Sequence, residues 1–240
     1  MHKLLASILI FTAPAVMAHD CGGQVALSGA AVPDFGSLKP SVRGLAMATR
    51  EVAVYRVRAA ALQTHSHSKP FVIVWTQKGD VIEQRDGGLP TARTFDVGQI
   101  DFYPAGTTHS LRAGKGSLSF TGIELRQPKG ADPEAVMPNK PADCENAVEF
   151  PEGGFACLLH VPPGKEITIP ELGVNALCIA VDSGRVRETI PGTEWELHYR
   201  DGSSLYMPGY EEHKLRSLAR RPMLLALIVP PPAKYEVRAP

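Results

Sequence analysis

Apolar positions along this chain recur with a period of two rather than 3.6, and the runs are short. Residues 52–57 (VAVYRV) alternate as an edge strand does, whereas residues 71–75 (FVIVW) are apolar throughout, which predicts a strand covered on both faces. Turns follow at Lys78-Gly79-Asp80 and Asp86-Gly87-Gly88, on either side of the alternating residues 81–84 (VIEQ). Residues 95–103 lead into a further reversal at Pro104-Ala105-Gly106, and residues 117–126 (SLSFTGIELR) read as a closing strand. Helical periodicity is scarce. The pattern therefore predicts an all-β barrel or sandwich.

Three stretches break this pattern. Residues 1–18 (MHKLLASILIFTAPAVMA) carry a basic start, an apolar run and small residues before a cut after Ala18, the layout of a secretory signal peptide. Export to the periplasm or outside the cell is the expectation. Residues 19–45 have no clear period and read as an N-terminal arm. Residues 128–150 contain Pro128, Pro133, Pro138 and Pro141 and read as a linker. Beyond it the first half recurs: Gly184, Gly202, Pro208 and His213 follow Gly79, Gly98, Pro104 and His109 at offsets of 104 or 105. Carried back, the Gly184 offset puts Pro170 and Leu172 at the places of His65 and His67, so His213 is expected to be a relic or a surface histidine.

Composition narrows the function. With 240 residues, 44% of them apolar, the chain can bury a sizeable core; its formal charge of zero and lack of a basic block exclude nucleic acid as a natural partner. No lipobox precedes Cys21, so no membrane anchor is expected. Export permits disulfides, and Cys21 with Cys144 is the favoured pair; Cys157 and Cys178 sit in apolar runs as either a bridge or buried thiols.

The candidate chemistry lies in residues 64–79 (THSHSKPFVIVWTQKG) and 98–110 (GQIDFYPAGTTHS). Residues two apart on a strand share a face at roughly 6.6 Å, so His65 and His67 can lean onto one ion, with His109 arriving from a neighbouring strand after the Pro-x-Gly turn. Gln63 has the parity of the two histidines and is a candidate to face the same cavity. Tyr103 and Glu124 complete the candidate catalytic set, with Glu124 as a general base; an outward, arginine-paired glutamate is the alternative for that residue.

These spacings resemble the two motifs of the cupin superfamily. Gly98, Pro104, Gly106 and His109 match the second motif, whose closing asparagine is Ala113 here. His65, His67 and Gly79 match the first, whose opening glycine is Ala59 and whose glutamate ligand is replaced by Val72. The resemblance implies two tandem cupin barrels, residues 46–127 and a degenerate copy at 151–240, with one divalent metal ion (Cu, Zn, Fe or Mn) on His65, His67 and His109. It also implies a small anionic or enol-like ligand and dioxygenase, isomerase or lyase chemistry, with a non-catalytic metal- or ligand-binding cupin as the alternative. The duplicate would cover the sheet face that a single cupin buries by dimerising, giving a monomer or a homodimer.

Overall fold

The computed structural model describes residues 32–39, 43–126 and 138–232. The signal-like residues 1–18 and Cys21 lie outside them. Two nine-stranded units follow one another. The first holds β1 (Arg43–Ala48), β2 (Val52–Ala59), β3 (Ala61–Ser66), β4 (Phe71–Trp75), β5 (Gly79–Arg85), β6 (Thr91–Phe95), β7 (Ile100–Tyr103), β8 (Thr108–Ala113) and β9 (Leu118–Leu125). The second repeats it as β10 (Cys144–Glu149), β11 (Phe155–Val161), β12 (Glu166–Ile169), β13 (Ala176–Ala180), β14 (Gly184–Ile190), β15 (Thr193–Tyr199), β16 (Ser204–Met207), β17 (His213–Ser217) and β18 (Met223–Val229).

The repeat extends to connectivity. A five-stranded sheet in the order β1-β2-β9-β4-β7 faces a four-stranded sheet β3-β8-β5-β6, and β10-β11-β18-β13-β16 faces β12-β17-β14-β15 in the same way. All pairings between these strands are antiparallel. Strand alternation assigns the apolar side chains to layers. Phe71, Ile73 and Trp75 of β4 enter the interior of the first barrel with Tyr55, Leu62, Val81 and Leu111. Val72 and Val74 of the same strand face outward, into a layer shared with Leu158, Leu177, Ile179 and Ile228 of the second unit. The two five-stranded sheets therefore pack back to back, and β4 is buried at all five positions, as its unbroken apolar run predicts. Burying one such side chain contributes roughly 1.5–3 kcal/mol.

Local readings of strands and cysteines differ from the structure. The segment 52–57 is no edge strand, because β1 pairs along it and shields its outer side. Residues 144–149, expected in the linker, form β10, the edge of the second five-stranded sheet. That strand brings Cys144 beside β11, and the disulfide joins Cys144 to Cys157 with a Cα separation of 5.5 Å. The Cys21–Cys144 pairing is thereby excluded. Cys178 is a buried thiol, pushed up to about 12 by burial, with the Glu188 charge adding to it.

Candidate metal centre

Strands β3 and β8 run side by side with His65 opposite His109. His67 lies just past the end of β3, where its N–H donates to the Thr107 carbonyl at 3.0 Å and its own carbonyl accepts from Gly106 N at 2.7 Å. Gly106 has φ 87°, a left-handed conformation that glycine adopts without a Cβ penalty, so the Pro-x-Gly turn sets both His67 and His109. All three imidazoles are buried, and one nitrogen from each lies within 4.8 Å of the others. His67 Nε2 and His109 Nε2 are 3.0 Å apart.

Gln63 is not in this group. A bulge between Leu62 and His65 shifts the register of β3, so Leu62 and His65 both point inward while Gln63 is exposed. Its backbone serves the site instead: His65 Nδ1 donates to the Gln63 carbonyl at 2.7 Å, leaving Nε2 with no hydrogen-bond partner. His109 is oriented by a residue that sequence reading missed. Its Nδ1 donates to Glu83 Oε1 at 2.9 Å, and Arg85 Nε holds the same oxygen at 2.8 Å. Burial alone would raise the Glu83 carboxyl, but the hydrogen bonds from His109 and Arg85 and the charges of Arg85 and Arg93 bring it down to about 2.

This donor set fits a divalent ion. Two ligands at about 2.0–2.1 Å from one metal stand roughly 3 Å apart, which is the His67–His109 separation, and the buried Nε2 of His65 is an orphan aimed at nothing else. His65 and His67 are held in the neutral form that a ligand needs. Burial, and then the proximity of the His109 imidazole, depress His65 to about 4; the same causes, with His65 adding, depress His67 to about 2. The unfolded chain binds protons near the ordinary histidine value and the folded site refuses them, so stability is full above that value and falls with acidification. Metal-free protein should lose about 3 kcal/mol through His65 alone by about pH 4, read from urea midpoints. A midpoint that stays level on acidification would contradict the buried, neutral state of His65.

The walls are aromatic. His67 lies between Phe71 (ring centroids 4.3 Å) and Phe35 (5.5 Å), and Phe35 also sits 5.3 Å from His65. Gly122 makes room for Phe71, since a Cβ there would meet that ring at 2.5 Å. The inward position after the His-x-His pair is thus Phe71; Val72, the expected stand-in for the cupin glutamate, faces the second barrel. Phe35 comes from a short 3-10 turn (Phe35–Ser37) that straps the site. The strap is held by Ser66 N donating to the Pro33 carbonyl at 2.9 Å, by Ser68 N donating to Asp34 Oδ2 at 2.9 Å, and by Arg43 on the Gly36 carbonyl.

Two further candidates stand close by but are engaged elsewhere. The Tyr103 ring is 4.5 Å from that of His109, while its hydroxyl meets Arg93 Nη2 at 3.2 Å. Burial, then the charges of Glu83 and Asp101, raise its pKa. Glu124 accepts from Arg126 Nε at 3.0 Å, the arginine-paired arrangement.

The second barrel retains half of the apparatus. His213 is buried, not at the surface, and its Nδ1 meets Glu188 Oε1 at 2.7 Å as His109 meets Glu83. The register puts Ile169 opposite His213, so Ile169, and not Pro170, stands where His65 does in the first copy. His213 Nε2 donates to the Pro208 carbonyl at 2.8 Å. One buried imidazole, hydrogen-bonded at both ring nitrogens, stands where the first barrel has a three-nitrogen cluster.

A duplicated nine-stranded unit with a three-histidine cluster in its first copy defines a bicupin fold. No protein-family model matches the chain, and no curated protein sequence matches it. Solved structures do. A Bacillus subtilis oxalate decarboxylase with Mn(II) centres is 14% identical, covering 78% of this chain and 70% of its own, with a TM-score of 0.54. AerE from Microcystis aeruginosa is 14% identical over 78% of this chain and 97% of its own, TM-score 0.54. The formate complex of Lactobacillus farciminis oxalate decarboxylase is 12% identical over 76% and 78%, also at 0.54. At these identities the likeness is one of fold.

Proposed function

We propose that this protein is an exported, metal-dependent bicupin that takes a small anionic or enol-like ligand at the His65/His67/His109 centre and acts on it as a dioxygenase, isomerase or lyase. The observation that carries the reading is the convergence of three buried imidazole nitrogens, one of them unpartnered, in an aromatic box closed by Phe35. A bound Cu, Zn, Fe or Mn ion would supply Lewis-acid polarisation of a ligand oxygen, and copper or iron would add oxygen chemistry. The chain itself supplies orientation through the Gln63 carbonyl and Glu83, and exclusion of water through Phe35 and Phe71. With no carboxylate in the ligand set, the metal keeps its full charge for an anionic ligand. Since one solved neighbour is an oxalate decarboxylase bound to formate, oxalate and formate come first among ligands to try.

Export rests on the signal-like residues 1–18 and is supported by the Cys144–Cys157 bridge, which suits an oxidising compartment. One observation favours the non-catalytic alternative. Tyr103, Glu124 and Gln63 are each turned to other partners or to solvent, and none of these three side chains has a hydrogen bond to the cluster among those described. The test is elemental analysis of protein from its native compartment beside the His65→Ala variant. Wild type should carry about one ion per chain and the variant should bind it at least about 100-fold more weakly, because a ligand is worth more than its supporting partner. Equal metal content would remove the centre. Turnover of oxalate or formate by the loaded wild type then separates enzyme from binder.

A further inference from the structure

The first barrel lacks a carboxylate where a fourth protein ligand would come from: Phe71 fills the inward position and Val72 points away. A carboxylate is nevertheless present one atom layer further out. Glu83 on β5 is 6% exposed; its oxygens accept hydrogen bonds from Arg85 Nε at 2.8 Å and Arg85 Nη2 at 3.3 Å, and Arg93 stands beside it as an ion pair at 3.3 Å. Its Oε1 also accepts from His109 Nδ1 at 2.9 Å. A neutral imidazole has one ring proton. With that proton committed to Glu83, the lone pair of His109 is fixed at Nε2, the atom that faces His67 Nε2 at 3.0 Å.

The second barrel shows what the same pair does without the other two histidines. Glu188 and His213 occupy the corresponding strands β14 and β17, Ile169 replaces the partner histidine, and a main-chain carbonyl takes the far nitrogen. The carboxylate–imidazole contact therefore stands by itself as a structural element. What distinguishes the first copy is that the far nitrogen faces two more imidazoles.

We propose that Glu83 is a positioning residue that acts through His109: it fixes the ligating tautomer and supplies, from behind the imidazole, the negative charge that the ligand set itself lacks. The proposal rests on the metal-centre reading given above. A carboxylate behind a ligating histidine orients the ring and raises its basicity, and its loss typically weakens metal binding 10- to 100-fold.

The experiment is a Zn²⁺ competition titration of the whole chain against a chromophoric chelator, for wild type, Glu83→Gln and Glu188→Gln. The glutamine amide oxygen can still accept from Nδ1, so charge is removed while the contact is kept. Glu83→Gln should weaken Zn²⁺ binding by about 10- to 100-fold and shift the visible bands of the Co²⁺-loaded protein, whereas Glu188→Gln should keep wild-type affinity within about twofold. Equal affinity in Glu83→Gln and wild type overturns the proposal, and so does an equal loss in both variants, which marks a purely structural effect. A readout that needs no variant is nitrogen NMR of histidine-labelled wild type, with and without Zn²⁺. A protonated Nδ1 and a bare Nε2 on His109 are expected, and the opposite tautomer overturns the assignment even if Glu83→Gln does not fold. Wild-type protein that binds no Zn²⁺ removes the centre and this inference together; binding that is indifferent to Glu83 removes the inference alone.

Discussion

Truncating Phe35 to alanine should speed release of a bound metal ion to a chelator by on the order of 100-fold while both barrels stay folded. The ring is 2% exposed and packs on Phe71 (4.6 Å), Tyr55, His65 and His67 (5.3, 5.3 and 5.5 Å). Apart from this ring, the strap is attached by a few hydrogen bonds, among them those of Asp34 and Arg43. A buried Phe→Ala change costs about 3–5 kcal/mol, and each 1.4 kcal/mol is tenfold in an equilibrium. Lowering the cost of lifting the strap by even the smaller amount gives about two powers of ten. Stopped-flow transfer to a fluorescent chelator reads the rate, and the melting temperature reads the fold. An unchanged rate would mean that ions reach the histidines by another route.

Glu188→Ala should destabilise the protein by about 3–5 kcal/mol, the usual result of stripping the partner from a buried charge, and lower the melting temperature by roughly 10 °C. Burial alone would push His213 down, but the Glu188 hydrogen bond, the Pro208 carbonyl and the Glu188 charge outweigh it and hold the imidazole above its ordinary value. The variant also strands Trp195 Nε1, which donates to Glu188 Oε2 at 2.6 Å. A raised histidine contributes stability that is complete below the ordinary histidine value and is lost as pH rises through the folded one. The gap between wild type and variant should therefore narrow on alkalinisation. Zn²⁺ affinity at the first barrel should not change. A variant as stable as wild type would mean that His213 is neutral and its carboxylate contact weak.

Much of this architecture is readable from period and spacing alone. Alternation and turn residues mark the strands, the doubled apolar run of β4 marks a strand covered twice, and the offset between His109 and His213 marks the duplication. The histidine cluster is legible because two of its members lie two residues apart and the third follows a Pro-x-Gly turn. What escapes are features decided by pairing partners. The bulge after Leu62 leaves no trace in composition, yet it turns Gln63 outward. One residue of drift between the copies likewise puts Ile169, and not Pro170, opposite His213. Cys144 finds Cys157 because a segment rich in proline still contributes an edge strand. Phe35 sits in a stretch without period, and nothing local foretells its place over the imidazoles. Glu83 did leave a signal: it shares parity with the buried Val81, and Glu188 repeats it at the same spacing as the glycines.

The apolar layer between the two five-stranded sheets divides the second copy into positions with different evolutionary freedom. Val72, Val74, Ile123 and Leu125 depend on Leu158, Leu177, Ile179 and Ile228 for cover, so mutation on that side of the duplicate is felt by the half that carries the three histidines. Its interior carries no such obligation: Ile169, opposite His213, stands there where His65 stands in the first copy.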